Sequence, residues 1–191
     1  MKETVMLADP LEGPSSADRL LRLSRAMQWV TTIGMALIVI GMGLTVAIPP
    51  WSRNLLLARL GETGARLPLT PTDQLLAGLI IAVPVGVMLW GLWHVRALFR
   101  DFAGGRVFTG SAAHHLQRFG VSVLAQGPLG PLTATALGLA LSFGNPPGQR
   151  YLVLTLSIND YFALIIGGVL VAVAAVMREA SRLADENASF V

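Results

Sequence analysis

The chain has 191 residues, of which 53% are hydrophobic and only 13% are charged, whereas a soluble domain usually carries about 25% charged residues. This length and apolar excess predict a single membrane domain, residues 1–191, and the lack of cysteine excludes disulfides, thiolate catalysis and cysteine-based metal or iron–sulfur sites. The formal net charge is +3, but no basic run with interleaved aromatic residues occurs, so nucleic acid is not an expected partner.

Four runs without Asp, Glu, Lys or Arg predict four transmembrane helices. About 20 apolar residues at 1.5 Å each cross a hydrocarbon core of about 30 Å. We predict the spans at residues 27–49, 75–97, 112–134 and 159–178. A polar segment precedes the first run and no cleavage pattern follows it, so the run is predicted to be a signal-anchor helix. The absence of deep charged groups argues against an ion-coupled pump.

The distribution of basic residues predicts the orientation. One side holds ten of the 14 Lys and Arg: four in the N-terminal segment, four between spans two and three, and two in the C-terminal tail. The other side holds four. The positive-inside rule therefore predicts an all-α, four-helix membrane protein with both termini in the cytoplasm. Trp29, Trp90 and Trp93 then lie at the inner interface and Trp51 at the outer one.

Small residues in the second and fourth spans are spaced four apart, which allows close contact between helices. The second span also contains a proline in mid-membrane, where a kink is expected because proline lacks a backbone N–H. We interpret these positions as packing sites within the bundle, and packing against another subunit of a homo-oligomer is the alternative. The predicted helix-packing residues are Gly78, Ala82, Pro84, Gly86, Gly168 and Ala172.

The segment between spans two and three is rich in arginine and phenylalanine and contains a Gly-Gly turn. We interpret it as a structured turn that contacts anionic lipid headgroups. A surface for a cytoplasmic protein is the first alternative, and a pocket for a phosphate or acidic metabolite is the second. Neither GxGxxG nor a Walker pattern occurs. The candidate partner- or lipid-binding residues are Arg96, Arg100, Phe102, Gly105, Arg106, Phe108 and Arg118.

The third run is too long for one simple span and contains Gly-Pro pairs at 127–128 and 130–131. After these pairs, leucines alternate with small residues on both sides of a turn-rich link at 144–148. A period of two predicts a β-hairpin over 136–158. Open strands are not stable in lipid, so the hairpin would lie outside, above the bundle. A longer third helix also fits the sequence.

Three histidines, His94, His114 and His115, are predicted at the inner membrane level, where they are able to converge on a haem or a metal. No carboxylate accompanies them at ligand spacing and no HExxH pattern occurs. We therefore expect histidines exposed to water at the interface, with no metal and no cofactor. Without GxSxG or paired carboxylates, no enzyme activity is expected.

Short motifs in the inner loop and the tail carry a resemblance that extends over roughly residues 27–191. The loop motifs are Leu98-Phe99, Phe102, Gly105, Val107-Phe108-Thr109, Leu116 and Phe119-Gly120, and those of the tail are Met177, Ala180, Leu183, Glu186-Asn187 and Val191. With these motifs the chain resembles a bacterial family of four-span inner-membrane proteins labelled only as a domain of unknown function. The resemblance implies a location in the bacterial inner (plasma) membrane. A small helix-turn-helix regulator is often encoded beside members, which implies a regulatory role. An asparagine that many members have at the start of helix three is replaced by Ser111 or a neighbour.

Three functions fit these observations. The first is a non-enzymatic membrane protein that works through protein contacts as a regulator, sensor or accessory subunit, with the inner loop and the C-terminal helix as its docking face. The second is a small transporter or a lipid- or ligand-binding bundle that uses a cavity near Pro84 and the Gly-Pro pairs. The third is a haem- or metal-binding redox subunit that uses the histidines.

Overall fold

The computed structural model describes residues 16–48, 71–107, 109–142 and 155–188, and every regular element in these ranges is an α-helix. Each helix has 31 to 33 residues, which corresponds to roughly 50 Å at 1.5 Å per residue. All four are therefore longer than a hydrocarbon core of about 30 Å. Within these ranges, the prediction of an all-α fold with four long helices is confirmed. The helices are α1 (Ser16–Ala47), α2 (Pro71–Ala103), α3 (Gly110–Ser142) and α4 (Ile158–Ala188).

Three of the helices, α1, α2 and α4, are long and apolar enough to cross a membrane. Helix α3 is not among them, because glycine, serine, threonine, glutamine and two prolines interrupt its apolar residues. Its position explains this composition. Helix α3 packs against α2 on one side and α4 on the other, and it has the most buried residues of the four described helices. Fewer of its side chains therefore face the surroundings.

The helices pack in chain order, α1 against α2, α2 against α3, and α3 against α4. No other pair of described helices shares more than a minor contact. The result is an open row of helices rather than a closed bundle. The outer helices expose large apolar side chains, including Trp29 and Leu37 on α1 and Val169 and Val176 on α4. An exposed apolar surface of this extent is typical of helices that face lipid.

Small residues bring α3 and α4 into close contact. The buried residues in the described part of α4 are Gly167, Ala174 and Ser181, which are spaced seven apart on one face. A Cβ atom built on Gly167 would lie 2.4 Å from the backbone nitrogen of Leu124 on α3. A Cβ on Gly120 would lie 2.9 Å from the backbone nitrogen of Val171 on α4. The two backbones therefore approach so closely that only glycine fits at these positions.

The small residues that the sequence predicts as packing sites are not the ones at the close α3–α4 contact. A Cβ atom built on Gly86 or on Gly168 would meet nothing within 4 Å, and Ala82 and Ala172 are exposed. Gly78 is half-buried. Of the six predicted packing residues, only Pro84 is buried, and α2 continues through it as one helix. Packing of these residues, within the bundle or against another subunit, stays a prediction.

The β-hairpin predicted over 136–158 is not supported by the structure. Helix α3 continues to Ser142, so residues 136–142 are helical, and the described residues 155–157 form no strand before α4 begins at Ile158. Residues 143–154 lie outside the described residues. The alternative of a longer third helix is the one observed.

The leucines that suggested a strand have a helical explanation. Leu137 and Leu141 are spaced four apart on one buried face of α3, where they cluster with Ala77 and Ile81 of α2. Leu139, between them, is on the exposed face. Leucines at every second position are thus divided between two faces of a helix, and burial on one face, rather than strand pairing, explains two of them.

Candidate functional site

The turn between α2 and α3 is built around Asp101, whose side chain is only 8% exposed. One carboxylate oxygen accepts a hydrogen bond from Nη2 of Arg106 at 2.9 Å. The other accepts a hydrogen bond from the hydroxyl of Ser111 at 2.9 Å. A single carboxylate therefore joins the end of α2, the turn and the start of α3. The side chain of Arg106 is 61% exposed, so this ion pair lies at the surface.

Helix α2 ends in a Schellman motif that requires glycine at position 105. The backbone N–H of Arg106 donates to the carbonyl of Asp101 at 3.0 Å, and the N–H of Gly105 donates to that of Phe102 at 3.0 Å. Gly105 has φ +75°, a left-handed conformation that a residue with a Cβ rarely adopts. Gly105, a predicted site residue, therefore determines the path of the turn. Of the other predicted residues, Phe108 lies outside the described residues.

The predicted arginines do not converge on one point. Arg96 donates from Nε to the hydroxyl of Thr32 on α1 at 3.0 Å, and its guanidinium lies 5.7 Å from the ring centroid of Trp93. Arg118 lies over Trp90 at 5.8 Å. Arg100 and Arg118 are exposed. The arrangement is a distributed basic surface beside tryptophans rather than a pocket for one phosphate group.

Two long-range hydrogen bonds show which helix ends lie beside this turn. Nε2 of Gln28 on α1 donates to the carbonyl of Phe99 on α2 at 3.0 Å. Nη2 of Arg178 on α4 donates to Oε1 of Gln117 on α3. The start of α1 and the end of α4 are therefore at the same end of the molecule as the α2–α3 turn. We call this end the turn face.

Helix α1 extends past the turn at this face. It begins 12 residues before Gln28, whereas α2 ends four residues after Phe99. The difference is eight residues, or roughly 12 Å of helix. The projecting part carries Leu20 and Leu23, which are exposed. On α4, the last helical residues include the exposed Leu183 beside ion pairs from Arg182 to Glu179 and Glu186. The turn face thus presents apolar and charged groups together.

The three histidines lie close together at the α2–α3 contact. The Nδ1 atoms of His94 and His115 are 3.0 Å apart, and the ring centroids of His94 and His114 are 6.4 Å apart. His114 is exposed, as expected, but His94 and His115 are half-buried. Among the described residues, no group of three or more His, Cys, Asp or Glu is placed to hold a metal ion.

A cavity of about 370 Å³ lies away from the turn face, at the start of α4, and residues of α2 and α3 also line it. Pro84 and Gln126 form part of its wall, and Nε2 of Gln126 donates to the carbonyl of Pro84 at 2.9 Å. Gly130 and Asp160 also line it. The cavity lies where the ligand-binding hypothesis expects one, near Pro84 and the second Gly-Pro pair.

Sequence reasoning missed Asp101, Gln126 and Asp160 as site residues. Asp101 is the only acidic residue among the arginines of the inner loop, and a lone acid in a basic segment is a signal for a local ion pair. Gln126 and Asp160 gave no comparable signal. Their role depends on which helix faces which, and short-range spacing does not contain that information.

The comparison with known proteins gives one family. The family model described as a protein of unknown function (DUF2975) matches residues 57–191. Neither a curated protein nor a solved structure is similar enough to the chain to count as a match. The matched range covers more than half of the chain and includes α2, the α2–α3 turn, α3 and α4, but not α1. The chain therefore belongs to the DUF2975 family.

Proposed function

We propose that the protein is a non-enzymatic integral membrane protein that acts through protein contacts at its turn face, as a regulator, sensor or accessory subunit. The main support for this proposal is the set of groups that lie together at the turn face. A turn fixed by the hydrogen bonds of Asp101 lies beside the projecting start of α1 and the end of α4. A rigid surface with exposed leucines and charges suits a protein partner.

We further propose that all four helices cross the bacterial inner membrane, with the turn face in the cytoplasm. Three helices are apolar enough to cross, and α3 packs between two of them, which supports a fourth crossing. The excess of Lys and Arg on the side of the turn supports the orientation. The exposed Arg100 and Arg118 would then contact anionic headgroups beside the tryptophans.

This orientation predicts the labelling of single cysteines, for which the cysteine-free chain offers a clean background. We compare Leu156→Cys, before α4, with Asp185→Cys, near its end; both positions are exposed. A membrane-impermeant maleimide applied from the periplasmic side should label the first cysteine in intact cells, and the second only after the membrane is opened. The reverse pattern would overturn the orientation.

The docking function predicts a crosslink from the turn face. A photo-crosslinking p-benzoylphenylalanine in place of Leu183, whose side chain is 49% exposed on α4, should give a discrete adduct with one protein in living cells. The family resemblance makes a small helix-turn-helix regulator the expected partner. Mass spectrometry of the adduct, after isolation in mild detergent, identifies the partner.

The matched control places the same amino acid at Leu156, which is exposed and lies two residues before α4 begins. This position should not give the adduct. If neither position gives an adduct, and the protein leaves the membrane as a lone monomer in mild detergent, then the docking function is wrong. The same adduct from both positions would show contact that is not specific to the turn face.

A further inference from the structure

The described residues that line the cavity at the start of α4 include several oxygen acceptors and one formal charge. The charge is the carboxylate of Asp160, and the side chains of Gln126, Asn159, Thr155 and Ser157 supply the other polar groups. None of the described residues that line the cavity is Lys, Arg or His. In the part of the chain that the structure describes, no basic side chain forms an ion pair with Asp160. The cavity therefore has a negative charge that no basic residue in the described ranges neutralises.

The first turn of α4 does not reverse this charge. One oxygen of Asp160 accepts from the backbone N–H of Ser157 at 2.8 Å, and the hydroxyl of Ser157 accepts from the N–H of Asn159 at 3.0 Å. These two bonds use amide groups that an anion at this helix start would otherwise accept from. The helix dipole contributes about +0.5 charge at this end against −1 for the carboxylate, so the balance remains negative. A cation is favoured over an anion.

Two residues of α3, Gly130 and Gln126, line the cavity together with Asp160. A Cβ atom on Gly130 would lie 2.2 Å from Oδ1 of Asp160, so the carboxylate reaches α3 across a position that only glycine leaves open. Beside it, the amide nitrogen of Gln126 is bonded to the carbonyl of Pro84. This bond fixes the orientation of the amide, and its oxygen is left as an acceptor for a ligand.

The size of the cavity identifies the class of cation. A volume of about 370 Å³ falls in the range of small-molecule sites and is far larger than a metal ion needs. A primary ammonium has three donors, which match the carboxylate of Asp160 and neighbouring amide and hydroxyl oxygens. Pro84, Ala134 and Ala163 offer an apolar wall for a carbon chain. We propose that the cavity binds a primary ammonium group on a short carbon chain, with Asp160 as its counterion.

This proposal does not depend on the docking function, and it is tested with the purified full chain in nanodiscs of phosphatidylglycerol. Titration calorimetry should show saturable binding of n-butylammonium and none of butan-1-ol, which has the same carbon chain without the charge. Asp160→Asn keeps an acceptor for Ser157 but removes the charge, and should raise the Kd by about tenfold or more. Asp73→Asn, an equal change at the start of α2, should leave the Kd unaltered.

A second variant keeps the carboxylate and fills the space. Ala163→Leu should abolish binding of n-butylammonium while the protein unfolds at a temperature close to that of the unchanged chain. Unaltered affinity in Asp160→Asn, or no saturable binding in the unchanged protein, would overturn the proposal. Equal binding of butan-1-ol would do the same.

The ammonium group has two sources, an amine in solution and the ethanolamine headgroup of a lipid. Repeating the titration in nanodiscs of phosphatidylethanolamine separates them. A raised apparent Kd for n-butylammonium means that the headgroup occupies the cavity, whereas an unchanged Kd means that free amines are the ligands. Both results support an ammonium site at Asp160.

Discussion

Replacing Gly167 by leucine should lower the free energy of unfolding by about 3 kcal/mol, at the upper end of the range for overpacked interiors. The Cβ atom alone would lie 2.4 Å from the backbone nitrogen and 2.6 Å from the Cα of Leu124. Backbone atoms of a neighbouring helix cannot rotate away as a side chain does, so α3 and α4 have to separate. Unfolding in detergent, followed by tryptophan fluorescence, measures the change.

The adjacent glycine provides the control. A Cβ atom on Gly168 would meet nothing within 4 Å, so Gly168→Leu should unfold at nearly the same denaturant concentration as the unchanged protein. The two variants have identical composition and differ by one position on the helix. If both lose the same stability, then the close α3–α4 contact is not what excludes a side chain at Gly167.

Replacing Asp101 by alanine should cost about 2 kcal/mol, because two hydrogen bonds to a charged group are lost. The side chain of Arg106 is 61% exposed and regains water, so the loss should be smaller than for a fully buried ion pair. The hydroxyl of Ser111 loses its acceptor as well. The same fluorescence measurement in detergent reports the change.

Exposed Asp185 serves as the control for this variant, since Asp185→Ala should alter stability by less than about 0.5 kcal/mol. A cycle of Asp101→Ala, Arg106→Ala and the double variant isolates the ion pair. The double variant should then lose less than the sum of the single losses. Strictly additive losses would show that the two side chains contribute independently to the turn.

The sequence predicts the helices better than their ends and contacts. Uncharged runs mark the hydrocarbon-length part of each helix, but α1 begins before such a run and α4 ends after one, within charged segments. Leucine at alternate positions predicts a strand over 136–142, but Leu137 and Leu141 also lie on one face of a helix. The packing of Leu137 and Leu141 against α2 is what distinguishes the helix from the strand.

The contacts between helices cannot be predicted from the spacing of residues along the sequence. Gly167 and Gly168 are chemically identical, and only the direction in which α3 lies makes the first indispensable and the second replaceable. The sequence likewise gives no sign that Gln126 is important, because its hydrogen bond to the carbonyl of Pro84 depends on how α2 and α3 pack. The importance of Gly105 is predictable because a turn is a local structure, and a short residue pattern such as Gly-Gly is enough to indicate one.

The serial packing of the helices has a consequence for how the protein assembles during synthesis. Each helix after the first packs against the helix that precedes it in the chain. As the helices leave the ribosome one by one, each new helix meets a partner that is already in place, and α4 does not have to return to α1. Association between sequence neighbours avoids the slow closure of long loops. We therefore expect assembly in the order of synthesis, with α4 added last against a preformed α3.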